Sequence, residues 1–281
     1  TIELRAAIAT VLETDAAGWA ALPTSLNGNY EVRANAPGFI PATVLSLTVP
    51  SRFGVLLTVA LRRGTSETAD ILDGRPPMPP KIRIVAMGDS TTAGTPAFQS
   101  PREAPPNGRG DETSQYAYWL MKAHPGWDVI NQGINGQRSD EIRARFEEDV
   151  VAKKPAVVVI IAGVNDVYQG RPAQHVKGEL AAMFTRARNA GIRVVAGTII
   201  PYNTATAEEN AAMHEINDWI RAQARADPGV IYADTRAAVA SPGDPDRLIS
   251  SPDGLHPDSV GYRRMANAIE PAIESALGAR H

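Results

Sequence analysis

Ala156-Val157-Val158-Val159-Ile160-Ile161-Ala162-Gly163-Val164-Asn165-Asp166 is the stretch that decides the fold. Its first seven residues are all apolar, mostly β-branched, and a glycine closes them. That pattern suits a short strand buried on both faces. A membrane span needs about 20 apolar residues, far more than this run offers. A strand buried on both faces belongs to a parallel sheet with helices packed above and below.

The flanking sequence fits that reading. Lys81–Met87, Trp127–Gln132, Arg193–Thr198 and Val230–Ala233 read as four further strands. Helices are expected over Tyr116–Ala123, Ser139–Val150, Gln174–Ala190, Ala207–Ala226 and Gly261–Leu277. Ser139 is the expected N-cap of its helix, with Asp140 and Glu141 where the helix dipole favours acids. Gly191 and Gly278 supply helix stops. The alternation predicts a flavodoxin-like, three-layer α/β/α domain around a parallel five-stranded sheet. In such open sheets ligands bind beyond the carboxyl ends of the strands.

Upstream the pattern changes. Asp73-Gly74-Arg75-Pro76-Pro77-Met78-Pro79-Pro80 holds four prolines, which favour a stiff, extended connection. The expected organisation is a small domain over 1–72, a linker over 73–80 and a larger domain over 81–281. In the first, Ile2–Leu12, Asn29–Ala34, Thr43–Val49 and Val55–Arg62 read as strands, with turn signals at Asn27-Gly28, Pro37-Gly38 and Pro50-Ser51. Tyr30, Val32 and Ala34 share a face by period two, whereas the alternation through Val44 and Leu47 is irregular. A small all-β, antiparallel sandwich is expected here. The segment Gly28–Phe39 resembles carboxypeptidase-regulatory or transthyretin-like sandwich modules, with a tyrosine-led strand, a Pro/Gly turn and an aromatic. Trp19, Tyr30 and Phe39 read as packing residues rather than as a sugar-binding surface.

Composition narrows the function classes. The 281 residues are 43% hydrophobic and 21% charged, with a formal net charge of -3. Nothing in that balance attracts nucleic acid or an acidic membrane surface. There is no cysteine, which excludes disulfides, thiolate chemistry and cysteine-ligated metals. The chain starts at Thr1; a removed signal peptide or a trimmed terminus would look the same.

The residues that follow the expected strands carry chemistry. Gly88-Asp89-Ser90-Thr91-Thr92-Ala93-Gly94 follows the first, Asn131-Gln132-Gly133-Ile134-Asn135-Gly136 ends the second, and Gly163-Val164-Asn165-Asp166 follows the third. Asp253-Gly254-Leu255-His256-Pro257 lies after the fifth strand and before the last helix. A serine, glycines, an asparagine, an aspartate and a histidine therefore fall at one sheet edge. Each block also has a plain reading. Ser90 could cap a helix, Asp253-Gly254 could be a turn, and Asn165-Asp166 could be a strand-to-loop cap. Asp89 and Asp166 read as structural. A metal site is not expected, because no histidine or third carboxylate has matching spacing. The segment lacks the lysine of a phosphate-binding loop, the three glycines of a dinucleotide fold and the Gly-x-Ser-x-Gly elbow.

Taken in order, the four blocks resemble the SGNH hydrolase superfamily of GDSL-like esterases and lipases, and the likeness runs from Lys81 to about Leu277. It implies a serine ester hydrolase without a cofactor. Ser90 would be the nucleophile, His256 its base and Asp253 the group that orients the imidazole. The oxyanion hole would comprise the backbone N–H groups of Ser90 and Gly136 and the side-chain amide of Asn165, with Gly133 the poorer candidate.

The expected substrate is a short acyl ester, an acetyl group on a sugar being one candidate, with thioesterase or lysophospholipase activity as the alternative. A different alternative is a non-catalytic carbohydrate- or protein-binding module. The long loop Thr95–Gln115 carries Arg102, Glu103, Arg109, Asp111 and Glu112, which suit a polar alcohol, and Tyr202-Asn203-Thr204 could add polar contacts. The accessory module favours a secreted protein, with a cytoplasmic one left open.

Overall fold

A computed structural model of the chain describes residues 2–5, 10–12, 28–49, 59, 61, 63–64, 70–73 and 81–278. The chain divides into two compact units, Thr1–Pro79 and Pro80–His281. The proline-rich stretch 74–80 and most of the strand expected at Val55–Arg62 lie outside the described residues.

In the first unit the strands Thr10–Leu12, Ile2–Arg5, Gly28–Ala34, Ala42–Val49 and Asp70–Asp73 form one sheet in that order. The stretch read as a single strand, Ile2–Leu12, is two strands paired antiparallel. Asp70–Asp73, which carries no strong strand signal, joins parallel to Ala42–Val49. The sheet is therefore mixed rather than antiparallel throughout. Tyr30 faces Leu47 and Val32 faces Val44, with a register shift between them. That extra residue is a bulge, and it accounts for the irregular alternation in the sequence.

In the second unit the strands are β1 (Ile82–Gly88), β2 (Trp127–Gly133), β3 (Val157–Ile161), β4 (Arg193–Gly197) and β5 (Val230–Ala233). All pair parallel, in the order β2-β1-β3-β4-β5. This is the flavodoxin-like order, and it reverses direction between β1 and β3. The helices are α1 (Ser90–Ala93), α2 (Tyr116–Ala123), α3 (Ser139–Ala144), α4 (Phe146–Asp149), α5 (Val164–Tyr168), α6 (Ala173–Asn189), α7 (Ala207–Ala226), α8 (Thr235–Val239) and α9 (Ser259–Gly278).

The apolar run on β3 serves two cores at once. Val158 and Ile160 join Met183, Phe184, Ile216 and Ile220 of α6 and α7. Val157, Val159 and Ile161 join Leu120 of α2 and Tyr262, Met265 and Ile269 of α9. Alternate side chains enter opposite layers, and this is why the run has no polar member. Each such side chain contributes about 1.5–3 kcal/mol by leaving water.

The expected helix over Ser139–Val150 is two short helices, broken at Arg145, whose backbone sits at φ -100°, ψ 6°. No glycine or proline marks the break, so tertiary contacts impose it. Ser139 lies inside the first turn and does not cap it. Its N–H and hydroxyl instead donate to the two oxygens of Asp166, at 2.8 and 2.9 Å.

Candidate active site

Gly88, Gly133 and Ile161 lie level across β2, β1 and β3. The residues that follow each strand therefore leave the sheet along one edge, beside the point where the strand order reverses. Gly133 must be glycine, because a Cβ there would stand 2.1 Å from the Ala93 nitrogen.

Asp89 caps α1, its Oδ1 accepting the Thr91 N–H at 2.9 Å. The capping role is thus filled by Asp89, which frees the Ser90 hydroxyl. Ser90 Oγ lies 2.9 Å from His256 Nε2, and His256 Nδ1 lies 2.7 Å from Asp253 Oδ2. Ser90 and His256 are both buried. The other oxygen of Asp253 accepts the N–H groups of Leu255 and His256, at 2.9 and 2.8 Å. Burial works to raise the Asp253 pKa, but the bonds from the His256 ring and from these N–H groups outweigh it. The net shift is downward, so the carboxylate stays charged beside the imidazole.

Several groups brace that loop. Ser251 donates its hydroxyl to the His256 carbonyl at 2.6 Å and accepts the Gly254 N–H at 2.8 Å. Asn203 donates its N–H to the Gly254 carbonyl at 2.7 Å and accepts the Leu248 N–H at 2.9 Å. Asn203, read from sequence as a contact to substrate, is thus a strut for the loop, and Tyr202 is buried.

Asn165 stands in the first turn of α5 and donates its side-chain N–H to the Gln137 carbonyl at 2.9 Å. An amide carries a second N–H. Gly136 is exposed, with a left-handed backbone at φ +78°. The Gly133 N–H is already used by Asn131 Oδ1, at 2.9 Å.

The loop over 95–115 is more ordered than its sequence suggests. Phe98–Gln99 pairs antiparallel with Arg109–Gly110. Its charged residues mostly find partners within the protein. Glu103 accepts the N–H groups of Ser100 and Asn135, each at 2.9 Å, tying the loop to the segment before Gly136. Arg109 bonds Gln99 at 2.8 Å, Arg102 lies 3.6 Å from Asp149, and Asp111 caps the turn at Thr113. The large apolar residues exposed near the loop that carries Asp253 and His256 are Ile249, Leu255 and Val260, with Tyr168 one turn beyond Asn165.

The fold also brings Asp140, Asp166 and His175 together, their ligand atoms within 4.8 Å of one another. Asp140 comes from α3 and His175 from α6, and Asp89 is not among them. Their neighbours are cationic, however. Arg138 and Arg171 lie 3.2 and 3.4 Å from Asp140, Arg171 lies 3.0 Å from His175, and Ser139 holds Asp166. That arrangement is an ion-pair network rather than a cation site.

A serine, histidine and aspartate linked by hydrogen bonds at the carboxyl edge of a parallel sheet is the layout of a serine hydrolase. Residues 86–264 match the model of the GDSL-like lipase/acylhydrolase family. The chain belongs to that family. Its second unit has the SGNH α/β/α fold. The chain is 32% identical over 125 residues to an uncharacterised lipoprotein, YqeF, of Bacillus subtilis, covering 42% of this chain and 48% of that one. It is 44% identical over 57 residues to an acetylxylan esterase of Geobacillus stearothermophilus, covering 19% of this chain and 26% of that one. The chain thus spans about half of the first relative and about a quarter of the second. A GDSL-like lipase from Bacteroides thetaiotaomicron superposes with a TM-score of 0.56 at 28% identity, covering 70% of this chain and 89% of that one. No helix among the described residues is long and apolar enough to cross a membrane.

Proposed function

We propose that this chain is a serine esterase that cleaves short-chain acyl esters, acetyl esters of carbohydrates among them, through an acyl-enzyme on Ser90. The hydrogen-bonded chain Asp253–His256–Ser90 carries the reading. His256 takes the serine proton as Oγ attacks the ester carbonyl, then returns it to the departing alcohol. Asp253 holds the ring with Nε2 toward the serine and offsets the imidazolium charge. The carbonyl oxygen gains negative charge in the tetrahedral intermediate. The N–H groups of Ser90 and Gly136 and the second N–H of Asn165 are the donors assigned to it. Water, activated by the same histidine, then releases the acid and restores the serine.

The likeness to an acetylxylan esterase supports the acetyl and carbohydrate part of this reading. The likeness to a chain named a lipoprotein supports placement outside the cytoplasm. A second reading, a longer acyl group as in a lysophospholipase or thioesterase, draws on the exposed Tyr168, Ile249, Leu255 and Val260. Hydrolysis of p-nitrophenyl esters from acetyl upward separates the two. The first reading expects turnover to fall beyond the shortest chains; turnover that rises with chain length would replace it with the second.

A further inference from the structure

Arg145 occupies the unexpected break between α3 and α4, with only 10% of its side chain exposed. Nη2 donates to the Gly88 carbonyl at 2.8 Å, and Nη1 to the Gln132 carbonyl at 2.7 Å. Those carbonyls stand at the ends of β1 and β2, just before the segments that carry Ser90 and Gly136. Nε donates to the side-chain oxygen of Gln137 at 2.7 Å. The backbone carbonyl of Gln137 in turn accepts the Asn165 amide at 2.9 Å. The fully buried Asp149 balances the charge, its Oδ2 lying 2.7 Å from Nη1.

We infer that Arg145 is a positioning residue of the oxyanion hole, holding in one plane the strand ends before Ser90 and Gly136 and, through Gln137, the Asn165 amide. The inference rests on the assignment of those three groups to the hole. A planar guanidinium suits the task because its donors leave in fixed directions and can span two strand ends and a third loop. A lysine offers the charge without the fork. Oxyanion donors act by being placed before charge develops, so a loosened frame lowers turnover without weakening substrate binding. The helix break follows from the same contacts. Arg145 leaves helical geometry where its side chain enters the sheet edge, although nothing in Ala144-Arg145-Phe146 opposes a helix.

The test uses the full chain with p-nitrophenyl acetate. Gln137→Ala cuts one link at a half-buried position and leaves the buried ion pair intact. It is expected to lower kcat about tenfold with KM and the pH profile unchanged, and to have no further effect in an Asn165→Ala background. Arg145→Lys is expected to lose more than Gln137→Ala, again mainly in kcat. Parental kcat in both variants, or a Gln137→Ala loss that persists undiminished without Asn165, would overturn the inference. A silent Asn165→Ala would instead strike the oxyanion assignment itself, so the two failures are distinguishable.

Discussion

Asp89 is buried beside Ser90 and carries a charge cost that a single substitution exposes. Its Oδ1 accepts the Thr91 N–H, while its Oδ2 has no hydrogen-bond partner. Burial pushes its pKa from 3.8 to about 7, against the bonds from Thr91, and the nearby Asp166 adds to the rise. The unfolded chain therefore releases this proton near pH 4 and the folded chain near pH 7. Between those values the folded state binds more protons, so stability falls as pH rises. Holding the proton to that higher pH corresponds to about 4 kcal/mol, spread over the window. Asp89→Asn keeps the Oδ1 acceptor and cannot ionise. The new amide adds a buried donor, an offset of about 1–3 kcal/mol that does not vary with pH. The difference between variant and parent should therefore grow in favour of the variant by about 4 kcal/mol from pH 4 to pH 8. Urea unfolding of both proteins across that range measures it, and titrating groups that do not interact with Asp89 cancel in the difference. Parallel stability curves would refute a carboxyl group that ionises inside the fold.

Other expectations follow from the site. Asn165→Ala should lower kcat by roughly 10²–10³ in p-nitrophenyl acetate hydrolysis, the usual cost of one oxyanion donor; a loss below about tenfold would remove it from the hole. Asp253→Asn should lower kcat by about 10⁴ at neutral pH, because the amide favours the wrong imidazole tautomer while His256 stays in place; a loss of only a few fold would make this aspartate a turn residue. Asp166→Ala strands the N–H and hydroxyl of Ser139 in a buried setting and should cost about 1–3 kcal/mol per unsatisfied group, read by urea unfolding.

The second unit was legible because its signals are local and repeated. An apolar run such as Val157–Ile161 admits one environment, and once the strands are placed, Ser90, Asn165 and His256 fall at one edge. Other features were hidden because their causes are distant in sequence. Arg145 breaks a helix of good helix formers through contacts with Gly88 and Gln132. Asn203 serves the Gly254 loop, about 50 residues downstream, and no periodicity marks that pairing. His175 reaches Asp166 only because α6 packs against the segment after β3. Most charged residues of the loop over 95–115 brace the protein itself, and charge alone does not distinguish a side chain that meets ligand from one that braces a neighbour. In the first unit, a bulge between two strands defeated the period-two count, and the pairing of Asp70–Asp73 is non-local.

The central claim is that Ser90 is an activated nucleophile. The most direct test is to treat the full chain and its Ser90→Ala variant with an organophosphonate p-nitrophenyl ester and weigh the products by mass spectrometry. A single adduct on the Ser90 peptide of the parent, absent from the variant and suppressed in His256→Ala, is the predicted result. No adduct on the parent, or the same adduct on Ser90→Ala, would contradict it.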